Sequence, residues 1–98
     1  MNGYQHAAFD IDYSVVDLTN NSTDVTTSAT LVRGVYLNST LTAACVIQDS
    51  STAVFTIPSA AAAGTYIPLG DAFFKTGLTV NPGDSETGSL TILYKQRV

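Results

Sequence analysis

Few residues of this sequence carry groups that could do chemistry. The 98 residues include one histidine, His6, and one cysteine, Cys45. A Ser–His–Asp or Cys–His arrangement would need His6 as its base, because such nucleophiles are activated by a neighbouring proton acceptor. His6 lies in an N-terminal stretch without hydrophobic periodicity, so we expect an exposed residue of an arm. We therefore predict that the protein is not an enzyme.

Cys45 lies inside the apolar run Leu-Thr-Ala-Ala-Cys-Val-Ile, which begins at Leu41. Since it is the only cysteine, it forms no disulfide within the chain and cannot build a thiolate cage for a metal. We interpret it as a small buried hydrophobic residue. The alternative is a reactive or intermolecular thiol.

Two pairs of carboxylates are close in sequence, Asp10 with Asp12 and Asp84 with Glu86. Calcium needs about six or more converging oxygen ligands, and neither pair lies in a loop with the spacing of a calcium motif. A glycosidase also uses two carboxylates, at a separation that the sequence does not give. We expect solvated turn acids, no metal site and no cofactor.

The charge of the chain is low and acidic. Charged residues make up 12% of the sequence and the net charge is −4, whereas average proteins contain about 25% charged residues. The basic residues are Arg33, Lys75, Lys95 and Arg97. They form no stripe that could neutralise a run of phosphates, so we expect no nucleic-acid partner. No run is long and apolar enough for a membrane span, and the N-terminus does not resemble a signal peptide.

Hydrophobic alternation predicts short β-strands separated by turns, after an N-terminal arm at residues 1–10. We expect one domain at residues 11–98 with strands at 11–18, 25–30, 31–37, 41–48, 52–57, 65–69, 72–75, 78–80 and 88–95. The alanine-rich segment 59–64 favours a loop or a single helical turn, because so short a helix is marginal. Asn81-Pro82-Gly83-Asp84 predicts a turn.

Short strands at this spacing predict an all-β fold, a single small antiparallel β-sandwich of jelly-roll or Greek-key type. The strands at 31–37, 41–48 and 52–57 read as a meander, and the longer connection after Pro58 reads as a crossover between sheets.

Several of these strands are apolar on both faces. In 31–37, alternation places Leu31, Arg33, Val35 and Leu37 on one face and Val32 with Tyr36 on the other; in 41–48, Val46 opposes the face of Cys45, and in 88–95, Leu93 opposes that of Ile92. Antiparallel sandwiches normally alternate more cleanly between core and solvent. A second apolar face indicates a covering element or a subunit contact, and we favour subunit contact.

Arg33 and the tyrosines are the remaining candidates for recognition. Arg33 would pair with an acid of its own chain or of a neighbouring subunit. The tyrosines could form a sugar-binding platform, although tyrosine is also an ordinary residue of sheets and interfaces. They lie at positions 4, 13, 36, 66 and 94.

Over residues 31–95 the sequence resembles small structural proteins of tailed bacteriophage virions. The resemblance rests on Arg33-Gly34-Val35-Tyr36 opening a strand, on Phe55-Thr56-Ile57-Pro58 followed by Gly64-Thr65 and Pro68-Leu69-Gly70, and on residues 74–80 with the last strand ending at Tyr94. It implies a virion component: a capsid decoration (cement) protein, a head spike or fibre base, or a tail accessory. It implies no catalytic residues.

These observations combine into one expectation. The protein would be made in the host cytoplasm and would act on the capsid surface of the virion, as a homo-oligomer, with a trimer expected, bound to the major capsid protein or other virion proteins. The alternative is a receptor- or carbohydrate-binding module of a tail fibre or head spike. The predicted interface residues are Tyr4, Phe9, Arg33, Tyr36, Val46, Phe73 and Leu93.

Overall fold

Eight β-strands carry the fold in the computed structural model, which describes residues 11–19 and 22–96. The strands are formed by runs rich in β-branched and aromatic residues, which suit a pleated, half-buried surface. They are β1 (Asp12–Asp17), β2 (Thr23–Thr26), β3 (Thr30–Leu37), β4 (Cys45–Asp49), β5 (Thr52–Ile57), β6 (Tyr66–Phe74), β7 (Leu78–Pro82) and β8 (Ser89–Gln96). Residues 11–19 and 22–96 contain no helix that could cross a membrane.

The strands form two antiparallel four-stranded sheets. Sheet A has the order β1-β8-β3-β6, and sheet B has the order β2-β7-β4-β5. Each of the first four strands therefore pairs with a strand of the second half: β1 with β8, β2 with β7, β3 with β6 and β4 with β5. This is one long hairpin folded over itself, which is the jelly-roll arrangement. The predicted β-sandwich is confirmed.

The core lies between the two sheets and consists almost entirely of aliphatic side chains. Each strand contributes alternate residues, as expected where one face of a strand is buried. Fully buried members include Val32, Val35 and Leu37 of β3, Leu78 and Val80 of β7, and Leu90 and Ile92 of β8. The thiol of Cys45 is part of this layer, so its interpretation as a buried hydrophobic residue is confirmed.

The predicted meander is wrong. β3 and β4 are consecutive in sequence but lie in different sheets, and the neighbours of β3 are β8 and β6. The predicted strand at 41–48 starts only at Cys45, because the preceding residues form the connection between the sheets. Leu41 in that connection exchanges backbone hydrogen bonds with Ala60 and Ala61 of the 58–65 crossover.

Three other expectations change at strand ends. The predicted strands at 65–69 and 72–75 are one strand, β6, which passes through a left-handed residue at Gly70 and another at Asp71. Asn81 and Pro82 end β7, so the turn begins at Gly83, two residues later than predicted. The alanine-rich segment forms a loop with two turns, closed by the Ala61 N–H donating to Pro58 O and the Thr65 N–H donating to Ala62 O.

A β-bulge in β3 reverses part of the predicted alternation. Val32 lies opposite Tyr94 and Gly34 lies opposite Leu93, so Arg33 is an extra residue on β3. Such a residue shifts the following side chains to the other face. Val32 and Val35 are consequently both buried, whereas Tyr36 is exposed. The predicted grouping of Leu31 with Val35 was wrong for this reason.

The first strand also differs from the prediction. Tyr13 and Val15 are 69% and 61% exposed, whereas Val16 is buried. The alternation of β1 was predicted correctly, but the face that carries Tyr13 points away from the core. The proposed N-terminal arm, residues 1–10, lies outside the described residues.

Candidate interaction surface

The lone cysteine is placed where it cannot act as a nucleophile. Cys45 is fully buried in β4. Burial, together with the nearby charge of Glu86, raises the pKa of the Cys45 thiol to about 12. Since the thiolate is the reactive form of cysteine, the buried thiol is chemically inert near neutral pH.

Glu86 is a structural carboxylate, although the sequence suggested a solvated turn acid. It is 4% exposed. Its Oε1 accepts hydrogen bonds from the backbone N–H groups of Ala43 at 2.8 Å and Thr42 at 3.1 Å, and its Oε2 accepts one from Thr87 at 3.0 Å. The side chain therefore ties the β3–β4 connection to the β7–β8 turn. Asp84 in the same turn is exposed, as predicted.

No metal-binding group is found in the described part of the chain. Within residues 11–19 and 22–96, no three His, Cys, Asp or Glu side chains are grouped so that they could hold a metal ion. A depression lined by Asp24, Thr76 and Thr79, among others, has a volume of about 90 Å³, whereas ligand pockets usually measure about 300–1,000 Å³. The Asp24 carboxylate is already engaged, since it accepts a hydrogen bond from the Thr79 hydroxyl at 2.8 Å.

The most unusual surface is the outer face of sheet A, which is mostly apolar. We call it the aromatic face. Residues directly opposite each other on neighbouring strands share a face, and the pairing places Tyr13 beside Leu93 and Tyr36 beside Tyr66. Phe73 lies beside Leu31 and is 55% exposed. The aromatic face comprises Tyr13, Val15, Leu31, Tyr36, Tyr66, Phe73 and Leu93. The same pairing places Thr91 between Val15 and Tyr36, and Lys95 beside Leu31, so the apolar side chains surround one hydroxyl and border one charge.

Gly34 makes room for one of these rings. A Cβ atom at position 34 would collide with the phenol end of Tyr66 and would lie 2.8 Å from the carbonyl oxygen of Ile67. The Tyr66 side chain therefore lies across the backbone of β3, in space that any other residue would fill. The Tyr66 ring thus lies over Gly34 of β3, within the aromatic face.

Arg33 pairs with an acid of its own chain. Its Nε and Nη2 donate to the two carboxylate oxygens of Asp71 at 2.9 and 3.1 Å. The hydrogen bonds and charge of Asp71 raise the pKa of Arg33, and those of Arg33 lower the pKa of Asp71. Of the two predicted partners, the own-chain acid is the one observed. The pair joins the bulge of β3 to the irregular centre of β6.

The outer face of sheet B is polar by contrast. Val46 lies between Thr56 and Asn81 on its neighbouring strands, and Gln48 lies beside Thr79. The two outer faces of the sandwich therefore differ in chemistry. Only the outer face of sheet A has the composition of a surface that is covered in use.

The predicted interface residues do not form one surface. Tyr36, Phe73 and Leu93 lie together on the aromatic face, whereas Val46 lies on the opposite side of the sandwich. Tyr4 and Phe9 lie outside the described residues. Tyr13, Val15, Leu31 and Tyr66 belong to the aromatic face but were absent from the predicted interface residues. Their signal was the same as that of Leu93: an apolar residue on the face opposite the core.

Fold and surface together define a small jelly-roll sandwich with one exposed apolar sheet face. Comparisons with protein-family models, with curated proteins and with solved structures find no match for this chain.

Proposed function

We propose that this protein is a structural protein of a bacteriophage virion, a capsid decoration protein that binds shell subunits through its aromatic face. The single observation that carries the proposal is the exposed apolar outer face of sheet A. Solvent-exposed patches of this kind mark interaction sites. The fold supports the proposal, because jelly rolls recur in viral capsid domains. The resemblance of residues 31–95 to phage virion proteins is the reason for proposing the capsid surface as the place where the protein binds.

The proposed mechanism is mechanical. A protein that binds the assembled shell, and binds its dissociated subunits less well, stabilises the shell by mass action. Apolar side chains such as Phe73 and Tyr13 would lose contact with water when the capsid protein covers them. This burial is the driving force, because removing apolar area from water is the main favourable contribution to association.

The size of the face limits how tightly one copy can bind. Four strands about 4.8 Å apart and three outward rows about 6.8 Å apart give a face of roughly 400 Å². At about 25 cal/mol per Å² of apolar area, its burial contributes at most about 10 kcal/mol, because Thr91 and Lys95 take up part of the face. Association costs about 4–15 kcal/mol in lost freedom. A single copy would therefore bind weakly, and linked copies would bind far better.

Two measurements test this function. Mass spectrometry of purified virions, from the phage whose genome encodes the chain, should detect the tryptic peptides 34–75 and 76–95, which end at Lys75 and Lys95. Co-sedimentation with capsids that lack the protein should then show binding by the wild type and loss of binding by Phe73→Lys, which places a charge on the aromatic face.

Gln48→Lys is the matched control, because it places the same charge on the outer face of sheet B. We expect Gln48→Lys to bind capsids like the wild type. Absence of the chain from virions, or equal binding by both variants, would contradict the proposed function.

A carbohydrate- or receptor-binding module is the second candidate. It is favoured by three exposed tyrosines on one face, because aromatic rings pack well against the apolar faces of sugars. Tyr36 and Tyr66 are directly opposite each other, and each is 43% exposed. Binding to a glycan array that is lost in Tyr66→Ala would support this function over capsid decoration. An array without signal would count against it.

A further inference from the structure

The four edge strands of the two sheets differ greatly in how well they are protected against pairing with a further strand. An edge strand presents unpaired N–H and C=O groups, and proteins usually protect it with charge, proline, bulges or shortness. β1 begins and ends with aspartate, and β2 is four residues long and irregular. β6 contains Pro68 and the Gly70–Asp71 irregularity. These three edges are poor sites for a further strand.

The β5 edge has much less protection. Its six residues, Thr-Ala-Val-Phe-Thr-Ile, include no charge and no proline. Thr52, Ala53, Val54 and Thr56 are exposed, so no described part of the chain covers the strand. One irregularity is present, because Val54 is an extra residue opposite the Ile47–Gln48 step of β4. It leaves the Val54 side chain 46% exposed at the edge.

The sequence segment around β5 is uncharged as well, and the nearest charge in the pairing register is Asp49 of β4, opposite Thr52 at one end of the strand. Residues 50–70, which include β5, the crossover and the start of β6, contain no Asp, Glu, Lys, Arg or His. We call residues 50–70 the uncharged flank. The opposite flank carries Asp12, Asp17 and Asp24 on β1 and β2. Soluble surfaces usually hold about 25–35% charged residues, so an exposed, charge-free stretch of this length indicates a contact surface.

We propose that β5 pairs with β5 of a second copy of this chain, antiparallel, so that two copies of sheet B become one eight-stranded sheet. Charge distribution selects a second copy as the partner. Every copy carries a net charge of −4, and the uncharged flank is the side on which two such copies meet with the least repulsion. An antiparallel pair of identical strands is also self-complementary, which is what a two-fold contact requires.

The pairing would satisfy the backbone groups that the β5 edge now exposes to water. With the axis at the centre of the strand, Val54 of one copy lies opposite Phe55 of the other. The contact is closed after two copies, so it builds a dimer where the sequence suggested a trimer. A trimer would need a head-to-tail contact between two different surfaces.

The dimer would have a consequence for capsid binding, and this step rests on the proposed function. The two-fold axis of an antiparallel strand pair stands perpendicular to the sheet, so both outer faces of sheet B point to one side. Both aromatic faces therefore point to the other side. Two faces on one rigid body would bind a repeating shell with the gain in avidity that a single weak face lacks.

Solution mass tests the pairing directly. The chain has a mass of 10.3 kDa, and sedimentation equilibrium should give twice this value for the wild type. Val54→Lys places a charge on the edge strand and should reduce the mass to that of one chain. Val15→Lys is the matched control, since Val15 is also exposed (61%, against 46% for Val54) but lies on the aromatic face, and this variant should stay dimeric. Circular dichroism should show β structure in both variants.

A cross-linking experiment gives an independent readout. The only native thiol, Cys45, is buried, so a cysteine introduced by Val54→Cys is the reactive one. A short bismaleimide should capture Val54→Cys as a dimer and should leave Val15→Cys as single chains.

Three results would overturn the pairing: a wild type that sediments as one chain, a trimer mass that survives Val54→Lys, or dissociation by Val15→Lys in place of Val54→Lys. Failure of the capsid function is separable from these. In that case Val54→Lys would still become monomeric while neither the wild type nor any variant bound capsids.

Discussion

Replacement of Glu86 should destabilise the protein more than replacement of any other acidic side chain in the described chain. Its buried carboxylate accepts hydrogen bonds from the backbone N–H groups of Thr42, Ala43 and Thr87. In Glu86→Ala these three donors lose their acceptor, and water reaches them poorly because the site is 4% exposed in the wild type. The two connections that meet there would also lose their only charged link.

The magnitude follows from the three donors. A buried donor without a partner costs about 1–3 kcal/mol, so three partly buried donors give about 3 kcal/mol at the low end of that range. A domain of this size has a free energy of unfolding of about 5–15 kcal/mol. Since 1 kcal/mol corresponds to about 4–8 °C for a domain of this length, the melting temperature of Glu86→Ala should fall by about 12–24 °C.

Thermal unfolding followed by circular dichroism measures this change. Asp84→Ala is the matched control, because it removes an exposed acid from the same turn and should change stability by less than about 0.5 kcal/mol. Glu86→Gln keeps one acceptor oxygen, so its melting temperature should lie between those of Glu86→Ala and Asp84→Ala. If Glu86→Ala melts within 2 °C of Asp84→Ala, a value well inside the shift expected for ~1 kcal/mol, the carboxylate does not hold the two connections together.

Three further predictions concern single sites. Desolvation raises the pKa of the Asp49 carboxyl, but backbone hydrogen bonds outweigh it and hold this pKa below its usual 3.8. The stabilisation by the Asp49 carboxylate is therefore complete above pH 3.8 and is lost as the pH falls through the lower pKa of the folded state. Urea unfolding at several pH values in this range should show that the free energy of unfolding falls less steeply with decreasing pH in Asp49→Asn than in the wild type. Equal slopes of the two proteins would refute this. Cys45, whose thiol pKa is raised to about 12 by burial and by nearby negative charge, should react with a disulfide reagent only in denaturant; rapid labelling of the native protein would refute the inert thiol. Gly34→Ala should destabilise by about 1–3 kcal/mol through overpacking, and adding Tyr66→Ala should restore only part of the loss, because the carbonyl oxygen of Ile67 still blocks the new methyl group. Full restoration in urea unfolding would show that the ring is the sole obstacle.

The sequence predicts the strands of this fold well, because each strand is a local pattern. Six of the eight strands overlap one predicted strand over most of their length, β6 overlaps two, and β2 overlaps one at its end. What the pattern cannot give is which strands pair across sheets. β3 and β4 are separated by a short connection whose sequence is typical of a hairpin turn. The strand pairing shows that it passes between sheets, and the contacts of Glu86 and Leu41 hold it in place.

The candidate surface was predictable only in part, for a related reason. Alternation indicates that a strand has two apolar faces, but not which of them faces the core. One extra residue at Arg33 reversed the faces of β3 beyond it, and nothing in the local sequence marks a bulge except the following Gly34. Val46 and Tyr36 were both predicted as interface residues because each opposes a predicted core residue. Their strands lie in different sheets, so they point in opposite directions.

The difference between the two outer faces bears directly on function. Both sheets supply a full inner face to the same core, so folding does not require the outer face of sheet A to be apolar. The outer face of sheet B shows that threonine, asparagine and glutamine suffice on this fold. Exposed residues such as Tyr13 and Phe73 therefore add a solubility cost without contributing to the core. An apolar surface that folding does not need is explained most simply by a partner that covers it, and the uncharged β5 edge supplies a separate place for a second copy. Recognition of a shell and association between copies would then be divided between two surfaces, which can be changed one at a time.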